Sequence, residues 1–259
     1  MTEERRIAGA YNNPPLVEAV CEFRLAQDAR FNADIPDLIY GKIKEAFPIQ
    51  ALHKVTEVKI ETSGEQADET KTTTQEHNAV RFFNTDKNKL IHVDPVARLI
   101  AAVCLRPYPS WEVFRPLIED VFNLLVEFTG TEPFQRLGLR YTNRIEILSA
   151  GKKSSLEEYF QFRPCPMRGT LPDIKSFVVG YVLPFAQERD LCRVQLTDSV
   201  PTRVDYDAFM LDLDYFLARP QTIPINDSLE WVDGAHDAIN RIFESCITDS
   251  LRKIFQEIQ

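Results

Sequence analysis

Glycine is scarce in this chain: there are nine among 259 residues, and no two are spaced Gly-x-Gly. A dinucleotide-binding turn needs that spacing so that backbone can approach a pyrophosphate, and so a Rossmann fingerprint is absent. The nearest approach to a phosphate loop, "LSAGKKSS" at 148–155, fails twice. Glu146 stands where the first glycine belongs, and Lys153 separates Gly151-Lys152 from the serines. A polar turn ahead of a helix is the simpler account.

Paired cysteines are missing as well. Cys21, Cys104, Cys165, Cys192 and Cys246 are odd in number and contain no Cys-x-x-Cys, which argues against a disulfide framework and a zinc knuckle. None has a context that lowers a thiol pKa, and there is no Gly-x-Ser-x-Gly, so nucleophilic catalysis has no positive support. The four histidines, His53, His77, His92 and His236, form no His-x-x-x-His or His-Glu-x-x-His pair. No run of 18 apolar residues occurs, and "MTEERRIAGAYNNPP" lacks an apolar signal region, so the expectation is a cytoplasmic protein without a membrane span. A formal net charge of −9 repels a phosphate backbone, which makes nucleic acid a poor partner.

What the chain does have is pattern. In "NPPLVEAVCEFRL" (Asn13–Leu25), Val17, Ala19, Cys21, Phe23 and Leu25 alternate with Glu18, Glu22 and Arg24, the period of a strand with one buried face. "ADIPDLIYGKIKEAFP" spaces Ile35, Leu38, Ile39, Ile43 and Phe47 as an amphipathic helix stopped by Pro48. A strand at about Leu52–Ile60 follows. Glu61–Asn78, with no apolar residue larger than Ala67, reads as a mobile hairpin loop, and three short strands complete a meander. Ser110 then caps a helix with an apolar stripe, in which Pro116 predicts a kink or a start nearer Val113, and Phe134–Ile147 is a long strand.

The second part shortens the same plan. Ser154 with Glu157, and Asp227 with Glu230, read as capping boxes of two helices separated by three strands. The last helices carry Trp231, Val232, Ala235, Ile239, Ile242, Phe243 and Cys246 on one face and restart at Thr248. The pattern predicts an α+β fold of antiparallel sheets with amphipathic helices packed on one face. Two tightly associated halves, 1–150 and 151–259, or one domain are both open, with the proline-dense "RPCPMRGTLP" (Arg163–Pro172) as the junction.

Two clusters could carry chemistry. Asp212 and Asp214 project from one face of "DYDAFMLDLDYF" and are the weak candidates for a metal such as Mg²⁺ or Mn²⁺. No third ligand or phosphate loop accompanies them. Arg136, Arg140 and Arg144, on one face of "RLGLRYTNRIEI", are the candidate anion or partner face; they would pair equally well with Glu18, Glu22, Asp212 or Asp214 across a sheet, and that pairing is the favoured reading. Asn143, on the apolar face, requires a backbone hydrogen bond at a bulge or helix end. His236, bordering its helix's stripe, reads as a hydrogen-bonded structural imidazole, and His92 and Asp94 share a strand face.

Taken together, "NPPLVEAVCEFR", Trp111 and Phe114 opening the middle helix, "LGLRYTNRIEI", "FMLDLDYF" and "AHDAINRIFESCITDSLR" resemble a family of uncharacterised prokaryotic proteins described only as sporadically distributed. The resemblance spans Pro14 to about Arg252. It implies no activity, since the family has none assigned, and its patchy distribution suggests accessory genes of a mobile or defence-associated operon. The sequence is accordingly read as a non-catalytic interaction or regulatory protein with a protein partner and no cofactor, with self-association open. The alternatives are a metal-dependent enzyme on a phosphate-containing substrate and a sensor of a small anion.

Overall fold

The computed structural model describes residues 11–62, 70–130, 132–149, 154–164 and 174–258. Leu16–Leu25 (β1) follows Pro14 and Pro15, whose missing N–H groups precede the ladder and cost it nothing. Ala19, Cys21, Phe23 and Leu25 are buried. Helix α1 (Ile35–Ile43) starts with a proline in its first turn and buries Ile35, Ile39 and Ile43. Four strands then meander: β2 (Ile49–Thr62), β3 (Thr70–Phe83), β4 (Lys89–Asp94) and β5 (Leu99–Leu105). After α2 (Trp111–Thr129) comes the long β6 (Phe134–Leu148). The remainder is α3 (Leu156–Tyr159), a second meander of β7 (Val178–Phe185), β8 (Asp190–Ser199) and β9 (Tyr206–Leu217), then α4 (Ser228–Cys246) and α5 (Asp249–Phe255).

All nine strands join one antiparallel sheet in the order β2-β3-β4-β5-β1-β6-β9-β8-β7. The order is itself a repeat. A central strand, a helix, a meander returning to that strand, and a long helix occur first from β1 to α2 and again from β6 to α4. β1 and β6 pair with each other down the middle. The architecture is α+β with amphipathic helices on one sheet face. There a single apolar cluster gathers Phe23, Phe114, Phe134, Leu139, Leu213 and Ile239. The other face carries a small second cluster, Leu90, Leu99, Ala101 and Val103.

Several local expectations change. The segment Glu61–Asn78 is not one loop: 61–62 and 70–78 extend β2 and β3, paired from Ile49↔Phe83 to Thr62↔Thr70, and 63–69 lie outside the described residues. Thr70, Thr72, Thr73 and Thr74 explain the difference, because β-branched residues satisfy their backbone in a ladder without needing an apolar face. α2 starts at Trp111 and runs through Pro116. The one backbone bond that proline forfeits is outweighed by the buried Phe114, Leu117, Ile118 and Val121. Ser110 holds the N-cap position without a side-chain cap bond. Neither capping box forms: the caps of α3 and α4 are Ser155 and Asp227, both without side-chain bonds, and the Ser154 N–H donates to Asp207 Oδ2 at 2.6 Å. Phe243 is only half-buried, against Tyr11 and Phe255. Most of the proline-dense junction, 165–172, lies outside the described residues, as does Cys165.

Candidate functional site

The central strands carry the charges on the face away from the helices, and antiparallel register sets them against one another. Arg140 grips Asp212 with both Nε and Nη2, each at 2.8 Å, and the Thr142 hydroxyl donates to the same carboxylate at 3.2 Å. Arg136 reaches Asp214 at 2.7 Å and stands 3.4 Å from Glu22. It lies 4.6 Å above the Phe216 ring and across Gly138, where a Cβ would stand 3.2 Å from its guanidinium. The structure therefore brings Arg136, Arg140, Asp212 and Asp214 together as opposed pairs. Arg144 is set apart, turned toward Glu146, Ser199 and the Val200 carbonyl. Glu18 contributes only its field at Arg140.

For Asp212 and Asp214 to hold a cation, their guanidinium partners would have to leave first. Among the described residues, no group of three or more His, Cys, Asp or Glu side chains could hold a metal ion. Asp94 is engaged too. One oxygen meets His77 Nε2 at 2.7 Å, and the other accepts the Val96 and Ala97 N–H groups at 3.0 Å. His92 packs edge-on to His53 at 5.8 Å. Burial first, then the neighbouring Arg81, lowers the pKa of His92 to about 4. The four described cysteines are buried, and burial raises Cys104 to about 11 and Cys192 and Cys246 to about 12, far from a reactive thiolate.

Side chains without an obvious motif make the more promising site. Where the two repeats meet on the helix face, a cleft of about 290 Å³ opens between the start of α2, the middle of α4, the segment ahead of β1, and the floor strands β6 and β9. Trp111 lies flat on His236, with ring centroids 3.8 Å apart and planes 4° from parallel. Arg115 of α2 donates to Asp233 of α4 at 2.8 Å, fixing the two helices beside that stack.

His236 is held at both nitrogens, by Tyr141 Oη at 2.7 Å on Nδ1 and by Asn240 Nδ2 at 2.9 Å on Nε2. With the Asn240 amide donating, the imidazole proton sits on Nδ1 and is given to Tyr141, which leaves the Tyr141 O–H free to donate onward. Burial, partly offset by Asp237, Asp233 and Glu112, lowers His236 to about 4, so the ring is neutral. Burial likewise pushes Tyr108 and Tyr141 well above the ordinary tyrosine range. The buried Tyr108 hydroxyl lies where it accepts from Tyr141, and its own O–H meets no acceptor among the described residues. Asn143 donates to the Leu211 carbonyl at 3.2 Å, opposite the register shift in β1 between Leu16 and Glu18, which is the bulge its sequence position requires.

Trp111, Tyr141 and His236 each look structural in sequence, as parts of apolar stripes. Only the meeting of β6, α2 and α4 makes them a site. Compared with protein-family models, with curated proteins and with solved structures, the chain matches none.

Proposed function

We propose that this protein is a non-catalytic regulatory binding protein, and that the cleft between its two repeats takes a small, uncharged, planar organic molecule. The reading rests on one observation: a neutral imidazole is saturated at both nitrogens and stacked on Trp111, beside a buried Tyr108 that accepts from Tyr141 and keeps its own O–H to donate. Such a wall offers flat apolar contact and one directional donor, and the two carboxylates at its edge are engaged, Glu112 by Ser110 and Glu244 by Tyr11 and Arg252. A metal-dependent enzyme is the weaker reading, because Asp212 and Asp214 are already spent on Arg140 and Arg136. An accessory role in a mobile operon, as the motif resemblance suggests, belongs to the same proposal.

The test is a titration of the full chain with indole, benzimidazole and 2-pyridone, read by tryptophan fluorescence. The expected result is saturable quenching by at least one ring, lost in Trp111→Ala and weakened in Tyr108→Phe, with the ring recovered unchanged. Failure of all three to perturb the protein, or turnover of any of them, overturns the reading.

A protein partner is favoured by a different observation. β7 ends the sheet with Val178, Tyr181 and Val182 all more than half exposed, and the second meander has three strands where the first has four. The occupant that fits is an extended segment of a partner adding as the next strand. A photo-crosslinker placed at 182 should then capture one partner on a defined peptide in the native host, and scattered crosslinks would refute the reading.

A further inference from the structure

At one end of the sheet, where α5 and the segment ahead of β1 meet β6, a second cleft of about 390 Å³ is walled by Arg106, Arg144 and Arg203, with Glu146 as its single carboxylate. We infer that this cleft is an oxyanion site, built for a phosphate group carrying two negative charges.

Charge comes first. Three guanidiniums face one carboxylate in a protein whose formal net charge is −9, so the excess is local and runs against the whole. Glu146 cannot act as a competing acceptor, because it is already saturated. The Thr202 N–H and hydroxyl reach it at 2.9 and 2.8 Å, Arg144 at 3.0 Å and Arg203 at 3.2 Å. Burial alone would raise its pKa, but those four contacts bring it down to about 2. It is therefore an ionised anchor that orients two of the arginines.

Two of the three donors are also set in place. Arg203 is clamped between Glu146 and the Tyr206 ring, 3.7 Å below its guanidinium carbon, and only its Nε is spent. Arg144 is fixed by Glu146, Ser199 Oγ and the Val200 carbonyl. Arg106 makes no side-chain hydrogen bond or ion pair among the described residues, so all of its N–H groups are uncommitted. Arg203, held with its terminal N–H groups unspent, is the fork that binds phosphate with little ordering cost, and Arg106 adds free donors and charge beside it. The arginines of the central lattice, Arg136 and Arg140, cannot serve this way because carboxylates already occupy them.

The experiment titrates the full chain with inorganic phosphate and with glycerol 3-phosphate by calorimetry, at constant ionic strength held with chloride. Saturable binding of at least one probe is expected, and the tighter of the two says whether free phosphate or a small ester is the natural source. Arg106→Gln should weaken binding about tenfold with no change in melting temperature, and Arg106→Gln with Arg203→Gln should abolish it. Arg30→Gln, an exposed arginine outside the cleft, should leave it unchanged. Binding that never saturates, an Arg106→Gln variant indistinguishable from the parent, or an equal loss in Arg30→Gln would each overturn the site. Arg106 has no side-chain partner to lose among the described residues, so its variant carries the test even if Arg203→Gln destabilises the chain.

Discussion

Acid should weaken this fold through His236, and replacing that residue isolates the effect. The ring is kept neutral in the folded state, with its pKa lowered to about 4 by burial, whereas an unfolded histidine titrates near 6.5. Between those values the unfolded chain binds the extra proton, so His236 costs nothing above pH 6.5 and costs progressively more stability as pH falls toward 4. At pH 5 the cost is about 2 kcal/mol by linkage. His236→Gln removes the Trp111 stack and the Tyr141 contact, which at pH 7.5 should destabilise by about 1 to 2 kcal/mol. The variant has nothing to protonate there, so the gap between it and the parent should close by about 2 kcal/mol on acidification to pH 5. His92, lowered to about 4 by burial and Arg81, loses stability in both proteins and cancels in the difference. Urea unfolding at pH 7.5, 6 and 5 measures the gap. A gap that stays constant or widens toward pH 5 would mean that His236 is not held neutral.

Three further outcomes follow from contacts. Phe23→Ala removes a ring with no exposed surface, packed against Phe122 and Phe134, and should cost about 3 to 5 kcal/mol in denaturant unfolding; a loss under about 1 kcal/mol would deny its place in the core. Asp190→Asn should be destabilising by about 3 kcal/mol, because the buried carboxylate accepts from Arg189, the Trp231 indole and the Tyr215 hydroxyl, and an unchanged urea midpoint would contradict that network. Millimolar Mg²⁺ or Mn²⁺ should leave the melting temperature unchanged, since a ligand at a hundredfold its dissociation constant would add about 2.7 kcal/mol. A saturable shift abolished by Asp212→Asn with Asp214→Asn would restore the metal reading.

Much of the fold was legible because the sheet has one buried face. Period-two alternation in Leu16–Leu25 and Phe134–Leu148 fixes both the strands and the side each residue takes. The same alternation puts Arg136, Arg140, Asp212 and Asp214 on one face once β6 lies beside β9, although register sets Arg140 opposite Asp214 and the pairs that form run diagonally to it. Ladders that lean on backbone alone were not legible. β3 begins in a threonine-rich stretch with no apolar stripe, so hydrophobic pattern sees only a polar segment, and His77 vanished into it although it holds Asp94. Helix starts misled for a related reason: Ser154, Glu157 and Glu230 have the spacing of caps, yet capping depends on backbone angles that spacing does not encode.

The two clefts were hidden for a different reason, which is distance along the chain. Tyr141 and His236 are 95 residues apart, and Trp111 comes from the other repeat, so each is read in its own stripe as ordinary packing. The arginine cleft depends on a loop turning back: Thr202 and Arg203 reach Glu146 across 56 and 57 positions, and that return diverts Arg144 from the lattice its neighbours form. A face of three evenly spaced arginines thus divides by what each one meets. Arg136 and Arg140 meet aspartates on β9 and are neutralised, which serves the sheet. Arg144 meets a glutamate already shared with Arg203, and with Arg106 beside it the local sum stays positive. Periodicity can say that three guanidiniums share a face, but only the count of acceptors within reach says which of them still has charge to offer a ligand.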